Sequence, residues 1–279
     1  MKRCLLVVLL LGLLAGCSPR FVYGWLDWII PWQVDDYVTL NRDQENSLDF
    51  MIGKQVRWHR AHELPLYLAH LERLQRDLAE PLDQELVLAH MQEASEHWYR
   101  LFAKLLPDLV RLIQSFSDEQ VEEMLAQVNK DNAELREEYG DMTLEERIKR
   151  ANKRMDKSMR KWIGKLSPAQ KAAIADYNRN RHNTLELWLA YREDWIAHFS
   201  DALYNRADGE RLKRELTLLL VTPDELKGQQ YLSQILDNRR RLAQGLITIH
   251  AEMTPRQTRK LNRELDDLQA DLEYLIHKD

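Results

Sequence analysis

An all-α fold, an elongated array of antiparallel helices joined by short loops, is what this sequence predicts. Three observations carry that prediction. Strong helix formers dominate the 279 residues, with only 9 glycines and 8 prolines to interrupt them. Apolar residues recur at helical intervals: Ile148, Met155, Met159, Trp162, Ile163 and Leu166 in one stretch, and Leu261, Leu265, Leu268, Leu272 and Leu275 in another. No stretch after residue 40 alternates apolar and polar residues between turn pairs, so strands have no place to sit.

The helix starts are written in one repeated signature, a small oxygen-bearing residue followed three positions later by Gln or Glu. It occurs at Asn41…Gln44, Ser117…Gln120, Thr143…Glu146, Ser167…Gln170, Thr222…Glu225 and Thr254…Gln257. This is the capping box: the cap oxygen accepts from the N3 amide while the N3 side chain accepts from the cap amide. Pro168, Pro223 and Pro255 follow three of the caps, where a missing N–H costs nothing.

These starts divide the chain. One helix begins near Asn41 and is expected to end or kink at Pro65, with helical pattern resuming to about Ala79. A second follows Pro81 to about Leu105, and Pro107 opens a short segment to Ser115. Further helices are expected over 118–138, 144–165, 168–205, 210–220, 223–251 and 255–277, with Gly140 and Gly209 as stops.

The first 40 residues read differently. Lys2 and Arg3 precede an apolar run, Leu5 to Leu14, too short to span a bilayer, which takes about 20 residues. Leu14-Ala15-Gly16-Cys17 ends it. This tetrad resembles the lipobox of bacterial lipoproteins, which implies that residues 1–16 are a signal peptide, that Cys17 carries lipid, and that Ser18 behind it directs the protein to the outer membrane. Several acyl chains hold a protein on a bilayer effectively permanently. Cys4 would leave with the leader, so the chain is expected to form no disulfide and no thiolate zinc site. The division expected is a signal peptide (1–16), a lipidated, Trp-rich tether (17–40) and a helical periplasmic domain (41–279).

Charge and motifs exclude several functions. The chain carries 40 basic and 45 acidic side chains, a balance against generic nucleic-acid binding. It contains no G-x-S-x-G elbow, no G-x-x-x-x-G-K-[ST] loop, no H-E-x-x-H and no E-x-x-H. No catalytic residue, cofactor or metal ligand is therefore assigned. His59, His62 and Glu63 share one helical turn, and Glu93, Glu96 and His97 make a similar cluster. Both are read as polar helix faces, since a stable metal site needs a further ligand from elsewhere.

Two segments are candidates for partner binding. Trp25, Trp28 and Trp32 lie within 15 residues of Cys17. Indole suits a membrane interface, while packing onto the helical domain as a lid is the alternative. Helices 118–138 and 144–165 have opposite charge. They form either a self-neutralising hairpin or a basic face around Arg154, Met155, Met159 and Trp162 open to anionic lipid or envelope proteins.

The segment Trp25-Leu26-Asp27-Trp28-Ile29-Ile30-Pro31-Trp32, with Val34-Asp35-Asp36-Tyr37-Val38, Trp58-His59-Arg60 and Glu63-Leu64-Pro65, resembles a family of proteobacterial lipoproteins of unknown function. The resemblance implies an envelope location and a helical fold. Leu166-Ser167-Pro168-Ala169-Gln170 and Met253-Thr254-Pro255-Arg256-Gln257 resemble the L-T-x-x-Q motif of small periplasmic chaperones, the Spy family. Phe116-Ser117-Asp118-Glu119-Gln120 and Leu40-Asn41-Arg42-Asp43-Gln44 are more distant forms. The function expected is non-enzymatic binding or scaffolding at the periplasmic face of the outer membrane, with chaperone-like contact to clients. The alternative is an envelope hydrolase, or an accessory to one, acting on peptidoglycan or lipid.

Overall fold

The computed structural model describes residues 19–278, and every element among them is helical. The helices are α1 (Pro19–Tyr23), α2 (Leu26–Asp35), α3 (Arg42–His62), α4 (Leu64–Asp77), α5 (Gln84–Gln114), α6 (Asp118–Gly140), α7 (Leu144–Ile163), α8 (Pro168–Asn180), α9 (Leu185–Tyr204), α10 (Gly209–Leu220), α11 (Gln229–Ala251) and α12 (Pro255–His277). The leader, Cys17 and Ser18 lie outside the described residues. Among the described residues no helix is long and apolar enough to cross a membrane.

Five of the six capping boxes form with both bonds, at Asn41, Ser117, Thr143, Ser167 and Thr254. Thr222 does not form one. Its backbone N–H already donates to the Thr217 carbonyl at 3.0 Å, so Glu225 finds no cap amide to accept from. Pro223–Leu226 is a single 3-10 turn, and α11 starts only at Gln229.

Three further boundaries differ from the sequence expectation. Pro107 lies inside α5 rather than opening a new segment. Leu101, Leu106, Leu112 and Ile113 are buried on both sides of it, and that burial offsets the roughly 3 kcal/mol a mid-helix proline costs. The expected helix 168–205 breaks at residues 181–184. There the His182 N–H donates to Asn238 Oδ1 at 2.7 Å and its carbonyl accepts from Asn238 Nδ2 at 3.1 Å, so α11 supplies the bonds a continuous helix would have made. Gly209 is not a stop but the first residue of α10, whose N-cap is Asp208; a Cβ on it would lie 2.9 Å from the Gln114 amide.

Three apolar clusters hold the array together. The largest joins Leu48 and Ile52 of α3, Leu106 and Ile113 of α5, Val121 and Leu125 of α6, Leu203 of α9 and Leu212, Leu216 and Leu219 of α10. A second joins Ile163, Leu166, Ile174 and Ile249, from α7, α8 and α11. The third joins Leu64 of α4 to Leu272 and Leu275 of α12. Helix α12 lies against α1, α3, α4 and α7, so the last helix closes onto the first described ones. The acidic helix α6 and the basic helix α7 meet at their turn, where Arg150 pairs with Glu138 at 2.5 Å. Beyond it α6 lies along α9, and α7 lies along α8 and α12.

Candidate functional site

The described part of the Trp-rich segment is helical and fixed to the domain on one side. Ile30 and Val34 of α2 pack against the main core and Val38 behind them is fully buried. Tyr37 donates to Asp131 Oδ2 at 2.8 Å, and Thr39 bonds Glu123 through both its amide and hydroxyl. Arg20 of α1 donates to the Ala270 carbonyl at 2.9 Å and covers the Tyr274 ring.

The indoles face the other way. Trp25, Trp28 and Trp32 are 48%, 60% and 50% exposed. They form a ladder with Phe21: Phe21 to Trp25 at 6.0 Å, Trp25 to Trp28 at 6.3 Å, and Trp28 parallel to Trp32 at 5.9 Å. Trp25 at the N-cap of α2 and Trp28 and Trp32 within it are spaced by three and four residues and so share one stripe, which Phe21 of α1 extends across the turn at Gly24.

The basic helix gives a divided answer. Met155, Met159 and Trp162 turn inward and pack against Ile163, Leu166 and Ile174, whereas Arg154 is exposed. The methionine stripe and the basic stripe occupy different sides of α7.

The densest polar constellation lies where α3, α4 and α5 meet, and its centre is a residue the sequence did not single out. His70 of α4 is buried between two histidines of α5. His70 Nδ1 lies 3.1 Å from His97 Nε2, and His70 Nε2 lies 3.0 Å from His90 Nδ1. His90 Nε2 reaches Asp77 Oδ2 at 2.9 Å, and His97 Nδ1 contacts the Arg100 guanidinium. One assignment of tautomers satisfies every contact: Arg100 donates to His97, His97 to His70, His70 to His90, and His90 to Asp77. Glu93 stands beside this row, bonded to Arg73 through Oε1, with Oε2 3.6 Å from His70 Nε2. Glu63, almost fully buried, pairs with Arg100 at 3.3 Å and lies 4.0 Å from His97 Nδ1.

Burial sets the protonation of these groups. It lowers His97 to about 4, with Arg100 and His70 adding to the effect. It also lowers His70, helped by His90 and Arg73 against the opposing pull of Glu93. Burial alone would raise Glu93, but the bond from Arg73 and the charge of that guanidinium oppose it, and the carboxyl is held below its ordinary range. His70 and His97 are therefore neutral near pH 7, and Glu93 is ionised. His70, Glu93 and His97 each offer one donor atom, all within 4.8 Å of one another.

His59 and His62, neighbours in sequence, part company. His59 is buried, its Nδ1 bonded to the Tyr23 hydroxyl and its Nε2 3.2 Å from the Tyr67 hydroxyl. His62 is exposed and stacked on Trp58. Glu96, the third member of the other sequence cluster, is exposed, while Glu93 and His97 share the inward face. The partner they lacked, His70, comes from a different helix across a turn, which no spacing within α5 announces. Two open surface depressions, one lined by Gln229, Leu232, Ser233, Leu236 and Arg240 and the other centred on Tyr99 and Pro223, include none of these histidines.

A helical array with a buried histidine row and an exposed indole ladder is the class of protein the fold defines. The chain belongs to a family of unknown function, DUF6279, whose family model matches residues 36–232 and so takes in His70, Glu93 and His97. No curated protein and no solved structure matches the chain.

Proposed function

We propose that this protein is an outer-membrane lipoprotein of the periplasmic face, anchored through Cys17, with a non-enzymatic binding or scaffolding role. The observation that carries this reading is the indole ladder. Trp25, Trp28 and Trp32 lie exposed on one stripe of a helix whose other side is fixed to the domain, a few residues beyond the lipobox. Water-exposed indoles in a row are costly unless another surface covers them, and the headgroup region of a bilayer accommodates an apolar ring with one polar edge. An acyl chain at Cys17 would deliver that stripe to the lipid. The ladder would then fix the orientation of the domain, leaving Arg154 and the neighbouring basic side chains of α7 to meet anionic lipid or envelope proteins.

The hydrolase alternative draws nothing from His59 and His62, which occupy separate environments, one bonded to Tyr67 and the other stacked on Trp58. Met155, Met159 and Trp162 are partly buried against the second apolar cluster, which leaves a chaperone-like reading less adaptable apolar surface to use there.

Two measurements test the proposal. Cys17→Ala should move the protein from the membrane fraction to the soluble periplasm; persistence in the membrane fraction overturns the anchor. In the Cys17→Ala background, Trp25→Ser/Trp28→Ser/Trp32→Ser should weaken binding to phosphatidylethanolamine–phosphatidylglycerol vesicles by at least tenfold, following about 25 cal/mol for each Å² of ring surface buried. Equal binding overturns the role of the ladder.

A further inference from the structure

We propose that His70, Glu93 and His97 form a binding site for one divalent metal ion of the zinc class. Two imidazole nitrogens and one carboxylate oxygen are a donor set zinc accepts, with room for water as a fourth ligand. Bonds of about 2.0–2.1 Å at tetrahedral angles put donors about 3.4 Å apart. The two imidazole donors, His70 Nδ1 and His97 Nε2, lie 3.1 Å apart, close to that value, and Glu93 Oε2 stands 3.6 Å from the other ring nitrogen of His70. All three donors fall within 4.8 Å in the described structure, so small side-chain rotations complete the site.

The surroundings fit this use. Ligating histidines are usually oriented by a second group on the other ring nitrogen. His70, ligating through Nδ1, would donate from Nε2 to His90, which donates in turn to Asp77. His97, ligating through Nε2, would carry its proton on Nδ1, with the buried Glu63 carboxylate 4.0 Å away as acceptor. That proton moves from Nε2 to Nδ1 on binding, so the Arg100 guanidinium must swing off His97 while keeping Glu63. Arg73 holds the far oxygen of Glu93 and leaves the near one for the ion. The site lies within α4 and α5 and does not depend on the membrane anchor.

The test uses the full-length protein in detergent, without a histidine tag, stripped with a chelator and dialysed against zinc(II). The expected result is one equivalent of metal per chain, with a higher Tm for the loaded protein. Cobalt(II) in its place should give the visible absorption bands of a four-coordinate nitrogen–oxygen site. His70→Gln and His97→Gln should each weaken binding at least about tenfold, while His62→Gln, altering an exposed histidine of α3, should leave it unchanged. Absence of stoichiometric binding by the natural protein overturns the proposal, as does equal binding by His70→Gln and His97→Gln. If those variants fail to fold, the cobalt spectrum of the natural protein decides: a saturating four-coordinate spectrum supports the site, and its absence overturns it.

Discussion

Gln170 and Gln257 hydrogen-bond to each other in both directions, amide nitrogen to amide oxygen, at 3.3 and 2.8 Å. Gln44 and Gln120 do the same at 2.9 and 2.7 Å. Each of the four is the N3 residue of a capping box, so its oxygen also accepts from its own cap amide. Each nitrogen also reaches the carbonyl two residues before the partner's cap: Gln44 to Ser115, Gln120 to Thr39, Gln257 to Lys165 and Gln170 to Glu252. The same local two-fold arrangement therefore occurs twice, joining the starts of α3 and α6 and those of α8 and α12.

These pairs should be worth far more than an isolated cap. Gln170 is fully buried and Gln257 nearly so, and truncating Gln257 leaves the Thr254 amide and the Lys165 carbonyl without these bonds and takes both the acceptor and the donor that face the Gln170 amide. Gln257→Ala should cost about 2–3 kcal/mol, read as a fall in urea midpoint at constant m-value. The double variant Gln170→Ala/Gln257→Ala should cost less than the sum of the singles by more than about 0.5 kcal/mol. Thr222→Ala, at the box that does not form, should change stability by less than about 0.5 kcal/mol.

Gly164 and Gly140 both follow long helical patterns, yet they should respond oppositely to alanine. Gly164 has φ +79° and ψ −148°, a region nearly closed to other residues, and a Cβ there would lie 3.4 Å from Lys260 Cδ. Gly164→Ala should destabilise by about 1–3 kcal/mol. Gly140 is the last residue of α6, with open space around its Cα. Gly140→Ala should stabilise by about 0.5 kcal/mol, because alanine loses less backbone freedom on folding. Thermal melting of the two variants distinguishes the cases.

What was legible in the sequence was what is local. Caps at Asn41, Ser117, Thr143, Ser167 and Thr254 announced five helices because the bonds that start a helix lie within four residues. What escaped was decided at a distance. Asn238, more than fifty residues away, ends α8 by binding both backbone groups of His182. The core around Leu106 and Leu112 carries α5 through Pro107. The candidate metal site is half visible for the same reason: Glu93 and His97 face together because they are four apart on one helix. His70 joins them only because α4 folds back against α5.

Asp108 illustrates a long-range contact that the sequence pattern concealed. It is 7% exposed and accepts from Lys54 Nζ at 3.0 and 2.9 Å, from Gln55 and from Arg111. Burial alone would raise its pKa, but the bonds from Lys54 and Gln55 outweigh it and lower the carboxyl. A depressed carboxylate contributes stability above its unfolded pKa and loses it as pH falls through the folded value. Asp108→Asn should therefore cost about 1–3 kcal/mol at pH 7, with the difference from the natural protein shrinking below about pH 4. Paired urea titrations at pH 7 and pH 3 measure both quantities.

His59 should make the fold sensitive to mild acid. It sits between Tyr23 and Tyr67, with Arg60 and His97 nearby, and burial, aided by His97, lowers it to about 4. In the unfolded chain it would titrate near its ordinary value of about 6.5. Between those values the unfolded state binds a proton that the folded state refuses, so stability falls as pH drops from about 6.5 to about 4. The loss approaches about 3 kcal/mol at the lower end, since each unit of pKa difference is 1.36 kcal/mol. His59→Gln should be less stable than the natural protein at pH 7.5, having lost the Tyr23 and Tyr67 bonds, yet lose less further stability on acidification to pH 5. An unchanged pH slope in that variant would refute the assignment of the acid sensitivity to this ring.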